Sequence, residues 1–139
     1  MSYRRIEVAR TAGALGAEVR GVDLAALDDE TFDEVHRALL DHLVLFFHDQ
    51  DLSIEAQKAF GQRFGVLHQH PYVAPVAGHP EVIEIVKEPA DEKNFGGGWH
   101  ADLTYLETPM MGAVLHALEV PAAGGDTLFA NMYLAYESL

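Results

Sequence analysis

The stretch WHADLTYLETPMMGAVLHALEVPAAGGDTLFA (99–130) decides how the chain is to be read. Pro109 and the run PAAGGD (121–126) punctuate it into three short segments, 99–105, 112–120 and 126–130. Turn residues between short apolar runs predict β-strands rather than helices. The first of the three begins with Trp99, His100, one spacer and Asp102, directly behind three glycines. In a strand, residues two apart project from the same face, about 6–7 Å apart along the backbone. An imidazole and a carboxylate so placed reach one divalent ion. With a second histidine they form the 2-His-1-carboxylate facial triad of non-haem Fe(II) sites. The spacing alone is weak evidence. Chance places about 0.6 such pairs in a chain of this makeup. A surface histidine beside a solvated aspartate is the commoner outcome.

Outward from this stretch the chain changes character. Strands are expected at 6–10 and 17–22, joined by a glycine-containing turn. Asp28 or Asp29 caps a helix to about Asp41, with Phe32, Val35, Leu39 and Leu43 as its apolar stripe. LVLFF (43–47) reads as a buried strand. Ser53 caps a second helix to about Phe64, with Phe60 and Phe64 on one face. VIEIVK (82–87) alternates as a half-buried strand, and 88–98 is a polar, glycine-rich loop. Asn131 caps a last helix that runs into Leu139. The first half therefore mixes helix and strand, and the second is mostly strand.

The bulk numbers narrow the function classes. A chain of 139 residues, 49% hydrophobic and 22% charged, suits one domain with a packed core. The net charge of -13 argues against nucleic acid or an anionic membrane as the main partner. The absence of cysteine excludes disulfides, thiol nucleophiles and cysteine-ligated metals. No signal peptide follows MSYRRIEVAR and no run is long enough to span a bilayer, so a cytoplasmic location is expected.

Further motifs stand in order along the chain. They are GVDL (21–24), LVLFFHDQDLS (43–53), FGxLHxHP (64–71), WHxD (99–102), TxxxxP (104–109), ExPxxGGDT (119–127) and AYE (135–137). Together they resemble the TauD/TfdA-like family of taurine/2-oxoglutarate dioxygenases over nearly the whole chain. The resemblance implies an α+β, mainly β fold. It would be a double-stranded β-helix (jelly roll) behind N-terminal strands and helices, incomplete in this chain, with 1–139 as the N-terminal portion of one domain. It implies Fe(II), 2-oxoglutarate and O2 as the reacting set, and a small organic acid as substrate: a sulfonate, sulfate ester or aryloxy acid, hydroxylated with release of succinate and CO2.

Carried over residue by residue, His100 and Asp102 become iron ligands. Thr127 hydrogen-bonds a 2-oxoglutarate carboxylate, and His70 faces the substrate. Val73, Gly96 and Leu103 are secondary substrate-side positions. On chemistry alone each has a plainer reading. Thr127 suits a strand start, GGD is first a turn, and His70 and His68 suit a loop before Pro71. Trp99 reads as a packing residue. His36, His42, His48 and His79 read as surface or locally bonded. Two positions depart from the family's taurine enzymes. Gly96 stands where those carry an asparagine. Val73, with Tyr72 beside it, stands where they carry a tyrosine, so a less polar acid than taurine is expected.

The larger departure lies downstream. The family's distal iron histidine and the arginine that pairs with 2-oxoglutarate follow GGDT at a distance. Here the last arginine is Arg63, and His116 is the only histidine after His100. His116 as third ligand is a minor alternative to a plain strand residue. The chain is therefore expected to be a truncated product, a fragment or part of a larger protein. The rival function is a non-catalytic module that binds metal weakly or self-associates through open strand edges. An incomplete jelly roll predicts a homo-oligomer.

Overall fold

A computed structural model describes residues 2–92 and 95–139. Lys93 and Asn94, in the middle of the expected loop 88–98, lie outside the described residues. The chain forms two compact units, residues 1–52 with 116–139, and residues 53–115.

In the first unit, β1 (Glu7–Arg10) pairs antiparallel with β2 (Ala17–Arg20), Val8 opposite Val19. The turn closes through Thr11 N–H to Gly16 O at 3.0 Å. Gly16 has φ +96°, and a Cβ there would lie 2.5 Å from Thr11 Oγ1, so any other residue is strained here and displaces the threonine hydroxyl. α1 (Asp29–His42) then crosses over, and β3 (Leu45–Phe47) returns parallel to β2, Val19 opposite Phe47. A parallel pair needs such a crossover.

Asp28 caps α1 by accepting from Thr31 N–H at 2.7 Å. Arg5 holds Asp28 at 3.0 Å and also pairs with Glu30. The buried face is Phe32, Val35 and Ala38, packed in a core that includes Ile6, Ala17, Val19, Leu24 and Leu52. Leu39 is only half-buried. Leu43 has left the helix: it is the C-cap, at φ 69°. LVLFF is thus a cap followed by a shorter strand, with Phe46 exposed rather than buried. Glu34 accepts the backbone N–H groups of Arg4 and Arg5 at 2.9–3.0 Å, which pins the N-terminal segment to α1.

The end of the chain joins this unit. Asn131 Oδ1 caps α3 (Met132–Glu137), accepting from Tyr133 and Leu134 N–H, while its Nδ2 donates to Ala14 O at 2.7 Å. Phe129 meets Phe46 edge to face, ring centroids 6.3 Å apart.

In the second unit, Ser53 Oγ accepts from Ala56 N–H at 3.1 Å and starts α2 (Ile54–Gln62), whose Phe60 is buried against Phe64. The helix stops two residues before the expected Phe64. A hairpin follows, β4 (Pro75–Val76) with β5 (His79–Ile83), turning at Ala77–Gly78. Lys58–Glu81 at 2.7 Å and Gln57 Nε2 to Val114 O at 2.9 Å tie α2 to β5 and to the chain near 114. The strand expected at 82–87 begins earlier and ends at Ile83, because its only ladder partner among the described residues is the two-residue β4.

The three strands expected in 99–130 are not formed. Residues 112–120 and 126–130 carry no regular structure, and Leu115, Leu118, Val120 and Leu128 are exposed. A strand exists only as a member of a hydrogen-bonded ladder, and among the described residues these segments meet no partner. The observed sheets have three and two strands and do not close into a jelly roll. No helix among the described residues is long and apolar enough to cross a membrane.

Candidate metal centre

His100 and Asp102 lie in an irregular segment just ahead of a turn, not in a strand. Leu103 adopts φ 49°, and Leu106 N–H bonds back to Leu103 O at 3.2 Å. Their side chains nonetheless meet: His100 Nε2 lies 3.2 Å from Asp102 Oδ1. Two donors bound at about 2.1 Å are about 3.0 Å apart at a right angle and about 3.4 Å at the tetrahedral angle. The observed separation falls between these.

The other imidazole nitrogen decides which atom is offered. His100 Nδ1 lies 2.8 Å from Gly98 O. A carbonyl only accepts, so Nδ1 carries a proton; Nε2 then meets the carboxylate either as a lone pair, in the neutral ring, or as an N–H donor, in the charged ring. A proton on Nε2 satisfies the contact as an ion pair, and a metal ion between the neutral ring and the carboxylate satisfies it equally. The donor set therefore fits a hard-to-intermediate divalent metal. Both side chains keep more than half their surface exposed, 55% and 65%, so the site is reached from solvent. A cavity of about 200 Å³ opens beside Asp102, lined by Thr104, Met110, Met111, Gly112 and Ala113.

His70 occupies the loop after α2. Its Nδ1 accepts from Tyr72 N–H at 3.2 Å and Val73 N–H at 3.1 Å. An imidazole with an accepting Nδ1 presents Nε2–H as a donor. The ring of Tyr72 stands edge-on to His70, centroids 6.1 Å apart. The neighbouring Tyr72 phenol raises the Tyr105 phenol above its usual value, and burial adds to the rise. Tyr105 stands three residues past Asp102. The sequence reading noted Tyr72 but missed Tyr105 and the Gly98 carbonyl. No motif signals a tyrosine pair across 33 positions, whereas the glycine run did mark a backbone that approaches a side chain closely.

The remaining expected residues fall as follows. Val73 is half-buried and Gly96 exposed, at φ +65°. Leu103 is buried, at 7% exposure. Trp99 is 73% exposed, so it does not pack behind a metal strand. Thr127 is exposed and belongs to the other compact unit. Among the described residues no three His, Asp or Glu side chains gather as a metal-binding group, His116 included. His48 beside Glu18 (3.5 Å) and His79 beside Glu55 (3.8 Å) are locally bonded, as their plain reading expects.

Known proteins bear on this geometry. An alkylsulfatase of Acinetobacter baylyi is 34% identical over 98% of this chain and 43% of its own length. An (S)-phenoxypropionate/alpha-ketoglutarate-dioxygenase of Delftia acidovorans is 37% identical over 96% of this chain and 49% of its own. The chain thus spans about half the length of these relatives. Among solved structures, a putative alpha-ketoglutarate-dependent taurine dioxygenase from Burkholderia xenovorans matches 54% of this chain and 28% of its own, with 42% identity and TM-score 0.51. The family model of taurine catabolism dioxygenases TauD, TfdA matches residues 7–139. From the first strand to its last residue, this chain belongs to the TauD/TfdA family.

Proposed function

We propose that the intact protein is an Fe(II)- and 2-oxoglutarate-dependent dioxygenase that hydroxylates a small organic acid. The observation that carries this reading is the His100–Asp102 pair at 3.2 Å with Nδ1 anchored on Gly98 O. The names of the relatives, a sulfatase of alkyl esters and a dioxygenase of a phenoxy acid, support a sulfate ester, sulfonate or aryloxy acid as substrate. When bound, Fe(II) supplies the oxidising chemistry with 2-oxoglutarate and O2, one oxygen atom ending in succinate and one in the substrate.

The chain's own residues bind and orient. His100 Nε2 and Asp102 Oδ1 hold the metal. The Thr127 hydroxyl donates to a carboxylate of 2-oxoglutarate. His70 Nε2–H donates to the anionic group of the substrate. Val73 and Gly96 border the substrate, with buried Leu103 behind them. The methionine-lined cavity beside Asp102 takes its apolar part. The test is succinate release by the intact protein across a panel of sulfate esters, sulfonates and aryloxy acids. Release that needs both Fe(II) and 2-oxoglutarate supports the reading. None across the panel overturns it.

A second reading applies to these 139 residues alone: a weakly metal-binding module that self-associates. The exposed Leu115, Leu118, Val120, Leu128, Tyr133 and Tyr136 favour it. Fe(II) titration with mass measurement separates the two. Tight 1:1 iron with 2-oxoglutarate absorbance supports the enzyme, and a metal-poor oligomer supports the module.

A further inference from the structure

Two adjacent residues of α2 reach two sides of the candidate site. Gln57 Nε2 donates to Val114 O at 2.9 Å. Val114 directly follows Gly112 and Ala113, which line the cavity beside Asp102. No ladder partner holds this segment among the described residues, so the Gln57 amide supplies a bond that a neighbouring strand otherwise would. Lys58 pairs with Glu81 of β5 at 2.7 Å, and both side chains are mostly buried, 22% and 29% exposed. The loop that carries His70, residues 63–74, leaves the end of α2 and enters β4, which β5 pairs. Lys58–Glu81 therefore closes that loop at its base. Successive helix residues point about 100° apart, so one helix can hold both contacts at once.

We propose that α2 is the strut that sets two walls of the site, with Gln57 positioning the cavity wall at 112–114 and Lys58, through Glu81, positioning the loop of His70. The assignment rests on the reading that the cavity takes the apolar part of the substrate and His70 its anionic group. The two residues then act on different parts of one molecule. A displaced cavity wall costs a substrate in proportion to the apolar length it buries there. A displaced His70 costs every substrate alike, because the anionic group is common to all. Neither effect is made only in the transition state, so both fall on KM.

The probes are linear alkyl sulfates, alkanesulfonates and para-alkyl phenoxy acids of rising chain length. They are used on the intact protein and on its Gln57→Met and Lys58→Met variants, with kcat and KM read at each length. In the parent, kcat/KM is expected to rise about fourfold per methylene while the cavity fills. Gln57→Met is expected to reduce that gain to about twofold or less and to leave the shortest member of the series unchanged. Lys58→Met is expected to raise KM about 10-fold at every length with kcat unchanged. A partly unfolded variant does the reverse, lowering kcat and leaving KM. Gln57→Asn, one carbon short, and Glu81→Gln, neutral at the same size, repeat the pattern where a first variant does not fold. A Gln57 variant with the gain per methylene of the parent overturns its assignment. A Lys58 loss that varies with length, or that falls on kcat, overturns the other. A parent that turns over none of the three series overturns the proposed function itself, and this assignment with it.

Discussion

Replacing His70 by Asn or by Gln separates two roles that one imidazole combines. Its Nδ1 accepts two backbone N–H groups, from Tyr72 at 3.2 Å and Val73 at 3.1 Å, and so shapes the loop. Its Nε2–H is left for a ligand. The Oδ1 of asparagine lies as many bonds from the backbone as Nδ1 does, so His70→Asn keeps the loop contacts and deletes the outward donor. The Nε2 of glutamine lies as many bonds out as the imidazole Nε2, so His70→Gln does the reverse. The two loop bonds are at the long end of the normal range, and each contributes about 0.5–1 kcal/mol. His70→Gln therefore loses about 1–2 kcal/mol of stability, and His70→Asn close to none. A hydrogen bond to a charged group contributes about 1.5–3 kcal/mol, so His70→Asn lowers kcat/KM about 10- to 150-fold. The assay is succinate formation by the intact protein against a sulfate ester, alongside thermal denaturation. A kcat/KM for His70→Asn within twofold of the parent refutes the substrate role. Equal Tm losses in the two variants refute the loop role.

Two further outcomes follow from the same geometry. Asp102→Ala and His100→Ala each remove one of two donors 3.2 Å apart, and each lowers Fe(II) affinity by more than about 100-fold in a calorimetric titration. The Glu34 carboxyl is held below its usual 4.5 by the N–H groups of Arg5, with those of Arg4 and Ile6 and the Arg37 charge adding to it. In acid the unfolded chain thus binds this proton before the folded chain does. The stability from Glu34 is complete above pH 4.5 and is lost as pH falls through the folded value. Urea midpoints from pH 7 down to pH 3 are expected to fall less steeply for Glu34→Gln than for the parent, and equal slopes count against the contact.

What the sequence made legible is what is settled within a few residues. Asp28, Ser53 and Asn131 all cap as expected, because an N-cap bonds only to N–H groups two or three residues on. The pairing of β1 with β2 was legible through its short turn. The failures are relational. The alternation at 112–120 and 126–130 is in the sequence, but a ladder partner is not a property of the segment that needs one. The hairpin of β4 and β5 was missed although Gly78 marks its turn, because Pro75–Val76 is too short to show a period. The HxD pair was found for a partly mistaken reason. The strand argument places its two residues on one face, whereas the structure holds them in an irregular segment ahead of a turn.

That turn depends on Leu103, and its energetics can be decided by magnitude. A leucine in the left-handed region costs about 1–2 kcal/mol relative to an ordinary conformation. Burying a leucine side chain contributes about 1.5–3 kcal/mol. At φ 49° and 7% exposure, Leu103 carries both, and the burial term is the larger. The side chain thus anchors the turn that directly follows Asp102, and the backbone strain is what the anchor holds in place. This inverts the usual rank of substitutions. Elsewhere glycine is less stable than alanine by about 0.5–1 kcal/mol. Here Leu103→Ala loses the anchor and keeps the strain, while Leu103→Gly loses both. Leu103→Gly is therefore expected to be at least as stable as Leu103→Ala in urea denaturation, with both below the parent. An alanine variant more stable than the glycine one by about 0.5–1 kcal/mol means the positive φ is not held in solution.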